Sequence, residues 1–370
     1  MGIVSYTVLA LILFAVALIL ADMTIRWNRL RKRYNQAPLS IATFEGSDSP
    51  YHPSVLYFEE RWNGYAYWMA ETPYSPSTRP YRDRWECPSI HVSTDGLHWT
   101  QADGRQPLDD FGSEGEANLD YFSDPHLVFH DGRLECWYRI TRRAGITDNR
   151  SHVSLLRRTT EDGVHWTERE VLLDDLSANP ADKSVGRMIV SPAVIREAGV
   201  YRMWFVDSEA LQGRRIACST SPDARQWSDR IECWLVGAPT EIDPWHIDVS
   251  KVGSAYWLVC YDFRTLTLWS SEDGIEFSYV RELLEPSRTI GSFYEKGLYR
   301  ASLVKYGEGY RLYFSADGFD RTYIGIMEGA SPSSLRLVAA DGRRHCSIPC
   351  FVKQYVLGRI RAIRFILKHL

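Results

Sequence analysis

The chain has 370 residues, too many for one small domain and enough for one large β domain with appendages. A net charge of −4 excludes a surface built to grip nucleic acid by its phosphates, and seven cysteines, an odd number without a dense framework, exclude a disulfide scaffold. The 13 Trp and 21 Tyr suit pleated strand faces that pack rings, and some of them suit stacking on sugar faces.

In chain order, the first predicted element is apolar. Residues 3–21, "IVSYTVLALILFAVALILA", carry no charge, and at 1.5 Å per residue a helix of this length just crosses a hydrocarbon layer of ~30 Å. Nothing basic precedes the run, whereas "RWNRLRKR" (26–33) follows it, so a permanent anchor over 1–22 is expected rather than a cleaved leader. The basic linker over 23–48 places the following domain on the cytoplasmic face by the positive-inside rule.

Residues 49–340 read as repeats. "STDGLHWTQ" (93–101) recurs as "TEDGVHWTE" (160–168), "SPDARQWSD" (221–229) and "SEDGIEFSY" (271–279). Each has an Asp-Gly or Asp-Ala turn with an aromatic four positions after the Asp, a hairpin signal in which the returning ring is expected to pack on its own sheet. Upstream of each turn lie two aromatic-rich runs, the first pair being "HPSVLYF" and "GYAYWMAE", and a shorter third. A fifth copy begins at "YRASLVKY" (299–306), its turn decayed to "SPSSLRL". Four short strands per copy and five copies predict an all-β, five-bladed β-propeller. The last stretch, 341–370, predicts a basic amphipathic helix. Its apolar stripe is Val352, Val356, Ile360, Ile363 and Leu367, and residues 351–370 would provide a second membrane contact.

If the first strand of each blade is innermost, one face of the propeller collects the starts of first strands, the ends of second strands and the starts of third strands. Asp95, Asp162, Asp223 and Asp273 then lie on the opposite face and are structural. The first-strand starts bring His52, Asp124, His246, Asp248 and Arg300. The second-strand ends bring Glu71, Tyr138, Arg139, Asp207, Glu209, Asp262, Arg264 and Asp317, and Glu86 opens a third strand. Carboxylates converging from separate blades can supply the acid and base of glycosidic cleavage. Arg139, Arg142, Arg143, Arg264 and Arg300 suit an anionic or phosphorylated sugar, or phosphate as a co-substrate. No spacing of His, Cys and carboxylate is diagnostic of a metal, so no metal and no cofactor is expected.

The "SDPHLVFHDGRLECWY" segment, the S-x-D-G-x-x-W hairpins and the five-blade order resemble the five-bladed glycosidase superfamily of arabinanases, xylosidases, invertases and mannoside phosphorylases, over roughly residues 50–335. The resemblance implies three acids: a base or nucleophile, an acidic helper and an acid donor. Asp124 fits that pattern best, and Asp248 stands at the corresponding start in blade four. The first-blade start, where the family carries an Asp, is His52, a departure that leaves Glu71, Glu86 or His52 itself as the base. The catalytic set is therefore Asp124 and Asp248 with Glu71, Glu86 or Glu209. His52, Tyr138, Arg139, Asp207, His246, Asp262, Arg264, Arg300 and Asp317 would hold substrate. The expected function is a membrane-anchored glycoside hydrolase acting on a glycan or glycoconjugate. The alternatives are a phosphorylase or transferase on this scaffold, or a non-catalytic glycan-binding module.

Overall fold

The computed structural model describes residues 2–31, 37–74, 86–109, 121–143, 151–174, 189–208, 213–288, 292–318 and 321–340, together with 351–352, 355–356 and 359–360. After helix α1 (Gly2–Arg31), the described residues form five sheets. Blade one is β1 (Pro50–Trp62), β2 (Tyr65–Pro73), β3 (Ser89–Ser93) and β4 (Thr100–Gln101). Blade two is β5 (Tyr121–His130), β6 (Arg133–Arg143), β7 (Ser151–Thr160) and β8 (Glu170–Leu173). Blade three is β9 (Ile189–Glu197), β10 (Val200–Asp207), β11 (Arg215–Ser221) and β12 (Ile231–Glu232). Blade four is β14 (His246–Val252), β15 (Ala255–Tyr261), β16 (Leu266–Ser271) and β17 (Glu276–Leu284), with β13 (Trp234–Val236) added in parallel to its outer edge. Blade five is β18 (Gly297–Tyr306), β19 (Gly309–Asp317), β20 (Thr322–Gly329) and β21 (Arg336–Leu337).

The first strands β1, β5, β9, β14 and β18 touch in sequence and β18 returns to β1, which makes the predicted propeller. A ring of side-chain acceptors joins them. Leu127 N–H donates to Ser54 Oγ (2.9 Å), Ser191 N–H to Asp124 Oδ2 (3.0 Å), and Ile247 N–H to Ser191 Oγ (3.0 Å). Leu303 N–H donates to Asp248 Oδ2 (2.9 Å), and Val55 N–H to Ser302 Oγ (3.0 Å), which closes the circle. Every blade boundary has one such bond, and each satisfies a buried main-chain donor that would otherwise cost about 1–3 kcal/mol.

The Asp-Gly hairpins sit at the opposite end, as expected. In each, the Asp Oδ1 accepts the two following main-chain N–H groups, at 2.8 and 3.1 Å for Asp273 with Ile275 and Glu276. Those bonds hold Asp273 below the ordinary carboxylate range. The expectation that the hairpin pack on its own sheet is incomplete, because the turn also receives the preceding blade. Trp204 Nε1 of blade three donates to Gly274 O (2.7 Å), Tyr313 of blade five donates to Gly96 O (3.0 Å), and Trp137 of blade two stands edge-on to Trp227 at 6.2 Å. A methyl group at Gly163 would stand 2.2 Å from the Trp68 ring. The glycine is thus required twice, for its positive φ and for the neighbouring ring.

Of the expected C-terminal helix over 341–370 only residues 351–352, 355–356 and 359–360 are described, and Ile363 and Leu367 lie outside the described residues. The described pairs are helical in backbone, and Phe351 and Tyr355 are the buried residues, packed on Met23 and Trp27 of α1. Val352, Val356 and Ile360 of the expected stripe are exposed. Within α1, Tyr6–Asn28 is long and apolar enough to cross a membrane, and its residues from Tyr6 to Leu20 are exposed.

Gly163→Ala should lower the unfolding free energy by about 3 kcal/mol, by overpacking against Trp68 and by strain at φ +77°. Gly132→Ala, at φ +76° with nothing within 4 Å, should lose only about 1 kcal/mol. Denaturant titration of both variants separates packing from backbone strain.

Candidate active site

The centre is built by bulged strand starts. In blades one, two and three the first strand carries a non-glycine residue at positive φ just before a proline: His52 (51°), Asp124 (52°) and Ser191 (52°). The register of β1, β5 and β9 slips at these points. Proline has no N–H for the ladder, and a bulge redirects the side chain before it. Blade four has no slip, so His246 and Asp248 alternate regularly onto one face of β14.

These starts bring His52, Asp124 and His246 together. Ligand atoms from the three lie within 4.8 Å of one another, and all three residues are buried. Asp124 divides its two oxygens. Oδ2 pairs with Arg139 Nε (2.7 Å) and accepts Ser191 N–H, whereas Oδ1 stands 3.5 Å from His246 Nδ1 with no hydrogen bond among the described residues. Burial alone would raise the Asp124 carboxyl, but Arg139 beside it holds it well below the usual range. His52 Nδ1 meets Thr72 Oγ1 at 2.7 Å and stands 3.7 Å from Glu86 Oε1, which leaves Nε2 for the centre. Neither ring nitrogen of His246 has a hydrogen-bond partner among the described residues, and its ring lies 4.0 Å from that of Tyr299. Burial pulls His52 down to about 3 and His246 well below its ordinary value, so both imidazoles are neutral.

Two imidazoles and a carboxylate brought this close, with Asp124 Oδ1 and both His246 nitrogens buried and without a hydrogen bond among the described residues, fit a divalent transition metal with open coordination positions. Thr72 and Glu86 behind His52, and Arg139 and Ser191 behind Asp124, are the outer groups that orient such ligands. This cluster was not recognised in the sequence, because its members are 72 and 122 residues apart and no local spacing betrays them. The visible signal is a shared position, the start of the first strand, in blades one, two and four.

Arg300 lies beside the triad, fully buried. Its Nη2 donates to Pro192 O (3.0 Å), while Nε and Nη1 have no hydrogen bond among the described residues. Its charge acts on both Asp124 and Asp248. Asp248 accepts Leu303 N–H and stands 3.8 Å from His126 Nδ1, and burial raises its carboxyl to about 6. Of the other candidates, Glu71 is fully buried 3.8 Å from His91 Nδ1, and burial raises it well above the ordinary value. Tyr138 donates to Asp109 (2.6 Å) within the blade-two core, Asp207 pairs with Arg230, and Asp262 accepts Arg264 and Thr265 N–H in its own turn. Arg264 is mostly exposed, and Asp317 is hydrogen-bonded with Tyr51. Glu209 and the side chains of Arg142 and Arg143 lie outside the described residues.

An aromatic wall leads outward from His246. Tyr299 stacks near Tyr261 (5.5 Å), Trp245 donates to Tyr299 Oη (2.8 Å), and Phe263, 47% exposed, lies 5.3 Å from Trp245. The high ring content of the sequence was noted, but not that four rings gather here.

In fold, then, the chain is a five-bladed propeller with a metal-competent centre. No family model matches it. An A type blood N-acetyl-α-D-galactosamine deacetylase of Flavonifractor plautii is 25% identical over 348 residues, covering 80% of this chain and 44% of that protein. The chain therefore spans less than half the length of that relative. An uncharacterized protein of Mycobacterium tuberculosis is 36% identical over 106 residues, 28% of this chain and 33% of that one. Among solved structures, an N-acetylgalactosamine deacetylase from F. plautii in complex with blood group B trisaccharide superposes with a TM-score of 0.63 and 20% identity, covering 84% of this chain and 92% of that one. The GH43_1 enzyme of Xanthomonas citri complexed with xylotriose gives 0.57 and 11%, covering 89% and 99%.

Glu71→Gln tests the buried acid. Its folded-state carboxyl is raised, so wild-type stability is fullest at low pH and falls as the unfolded chain ionises first. The melting temperature of the wild type should drop between about pH 5 and pH 8 more than that of Glu71→Gln. Equal slopes would show that Glu71 is not buried as a neutral acid.

Proposed function

We propose that the chain is a membrane-anchored, metal-dependent hydrolase that removes the acetyl group from an N-acetylated amino sugar of a glycan or glycoconjugate. The observation that carries this is the His52–Asp124–His246 triad with its unbonded Oδ1 and imidazole nitrogens. The named activity of the F. plautii relative supports the same reading.

Bound to those three residues, a divalent metal would act as a Lewis acid on the scissile acyl carbonyl. The chain supplies the rest. Thr72 fixes the His52 ring, and Arg139 with Ser191 N–H fixes Asp124 so that one oxygen faces the centre. Arg300 presents two guanidinium nitrogens, Nε and Nη1, without a hydrogen bond among the described residues in a buried site, where donors aimed at a developing oxyanion are worth most. Trp245 and Phe263 offer ring faces to the sugar. Water is consumed, the C–N bond breaks, and acetate and the free amine leave. Anchoring through α1 is supported by the packing of its charged end on the body of the protein, a contact that a leader removed after export would have no use for.

Glycosidic cleavage is the second reading, favoured by two buried carboxyls, Asp124 and Asp248, that both act on Arg300, since that chemistry needs two carboxylates. The experiment incubates the full chain in detergent with oligosaccharides bearing N-acetylated sugars, with and without phosphate. Acetate release that Asp124→Asn lowers by at least about 100-fold supports the deacetylase. Free sugar would establish a glycosidase, sugar phosphate a phosphorylase, and binding without product a glycan-binding module.

Metal binding is checked separately. Zinc titrated into the chelator-treated protein should bind at one high-affinity site. His246→Ala should weaken it by at least about 100-fold and Thr72→Ala by about 10-fold, the range typical of an outer-shell partner. Unchanged affinity in both variants would remove the triad as the metal site.

A further inference from the structure

Helix α1 meets the propeller at one particular end. Arg26 Nη1 donates to Glu295 Oε1 at 2.6 Å, and both side chains are largely buried. Glu295 lies in the connection that delivers the chain to β18, and the next residue, Lys296, donates its N–H to Asp317 O at the end of β19. Five residues beyond Glu295 is Arg300, inside the site. The contact therefore stands on the face where first strands begin and second strands end, the face onto which the triad opens. Three further contacts join the same end of α1 to residues of the C-terminal segment. Trp27 packs on Phe351 at 5.3 Å, Tyr355 donates to Asp22 at 2.6 Å, and Arg359 pairs with Asp22. Beyond this fastening, Tyr6 to Leu20 is exposed along its length and touches no blade.

An apolar helix that leaves the body from the site-bearing face puts the phase that covers it over that same face. The exposed ring of Phe263 and the half-buried Trp245 stand at the same end, at the level where aromatic side chains settle between headgroups and water. We propose that the funnel mouth faces the bilayer surface and that the substrate is a glycan held in that bilayer by its own lipid tail. The chemistry of this proposal rests on the deacetylase reading; its orientation does not.

The two parts are tested separately on the full chain in vesicles of phosphatidylcholine and phosphatidylglycerol. For orientation, the five described cysteines are buried, so Cys346→Ser and Cys350→Ser give a background for single labels. A bimane at Glu241→Cys, exposed in the connection between blades three and four on the funnel side, is compared with one at Glu161→Cys, exposed in a hairpin at the opposite end. Nitroxide-headgroup lipid should quench the first strongly and the second little. Equal quenching, or the reverse, overturns the orientation.

For substrate class, acetate release from octadecyl α-N-acetylgalactosaminide in the vesicles is compared with release from the methyl glycoside in solution. Confining enzyme and substrate to one surface should raise kcat/KM by roughly 100-fold. Equal rates overturn the lipid-held substrate and leave the deacetylase standing. Release from neither overturns the deacetylase and the lipid-held substrate with it, and the quenching result alone then decides the orientation.

Discussion

Five hydrogen bonds around the axis, each from a main-chain N–H of one first strand to a side-chain oxygen of the strand before it, hold this propeller closed. Ser54, Asp124, Ser191, Asp248 and Ser302 are the acceptors. Among the described residues no ladder joins the first strands of neighbouring blades, so their facing donors need side chains instead. The positions that lock the fold are therefore the positions that line the funnel. Asp124 serves both ends at once: one oxygen is spent on the ring and on Arg139, and the other is left for chemistry.

This double use explains the electrostatics of the centre. A carboxylate, two neutral imidazoles and two guanidiniums share a space that excludes water, where an unpaired charge would be costly. Arg139 is matched by Asp124 at 2.7 Å. Arg300 is not matched by a close carboxylate; it leans on a carbonyl and on the more distant Asp124 and Asp248. The two guanidiniums are thus set against Asp124, Asp248 and Glu86, and Arg300, with Nε and Nη1 unbonded among the described residues, is placed to meet negative charge that builds on oxygen.

The architecture was legible in the sequence because it repeats. Hairpins ending in Trp99, Trp166, Trp227 and Phe277 marked the blades, and the decayed fifth copy was still recognisable by its paired strands. The site was legible only by position. The layout rule brought His52, Asp124, His246 and Arg300 to one face, and these are the residues that meet. It equally nominated Tyr138, Asp207 and Asp262, whose side chains turn into the blade or back onto their own turns. At the first-strand starts, the direction of His52, Asp124 and Ser191 depends on the bulges before Pro53, Pro125 and Pro192, which alternation cannot foresee. For the same reason the triad passed unseen: three ordinary residues acquire a common purpose only when the ring is closed.

The closing bond of that ring, Val55 to Ser302, spans 247 positions in the chain. While the protein is being synthesised, the first blade must wait for the last before its inner edge is satisfied. Topologies dominated by such distant pairings assemble slowly and expose unpaired edges in the meantime. No truncated product that lacks blade five can therefore contain a finished funnel.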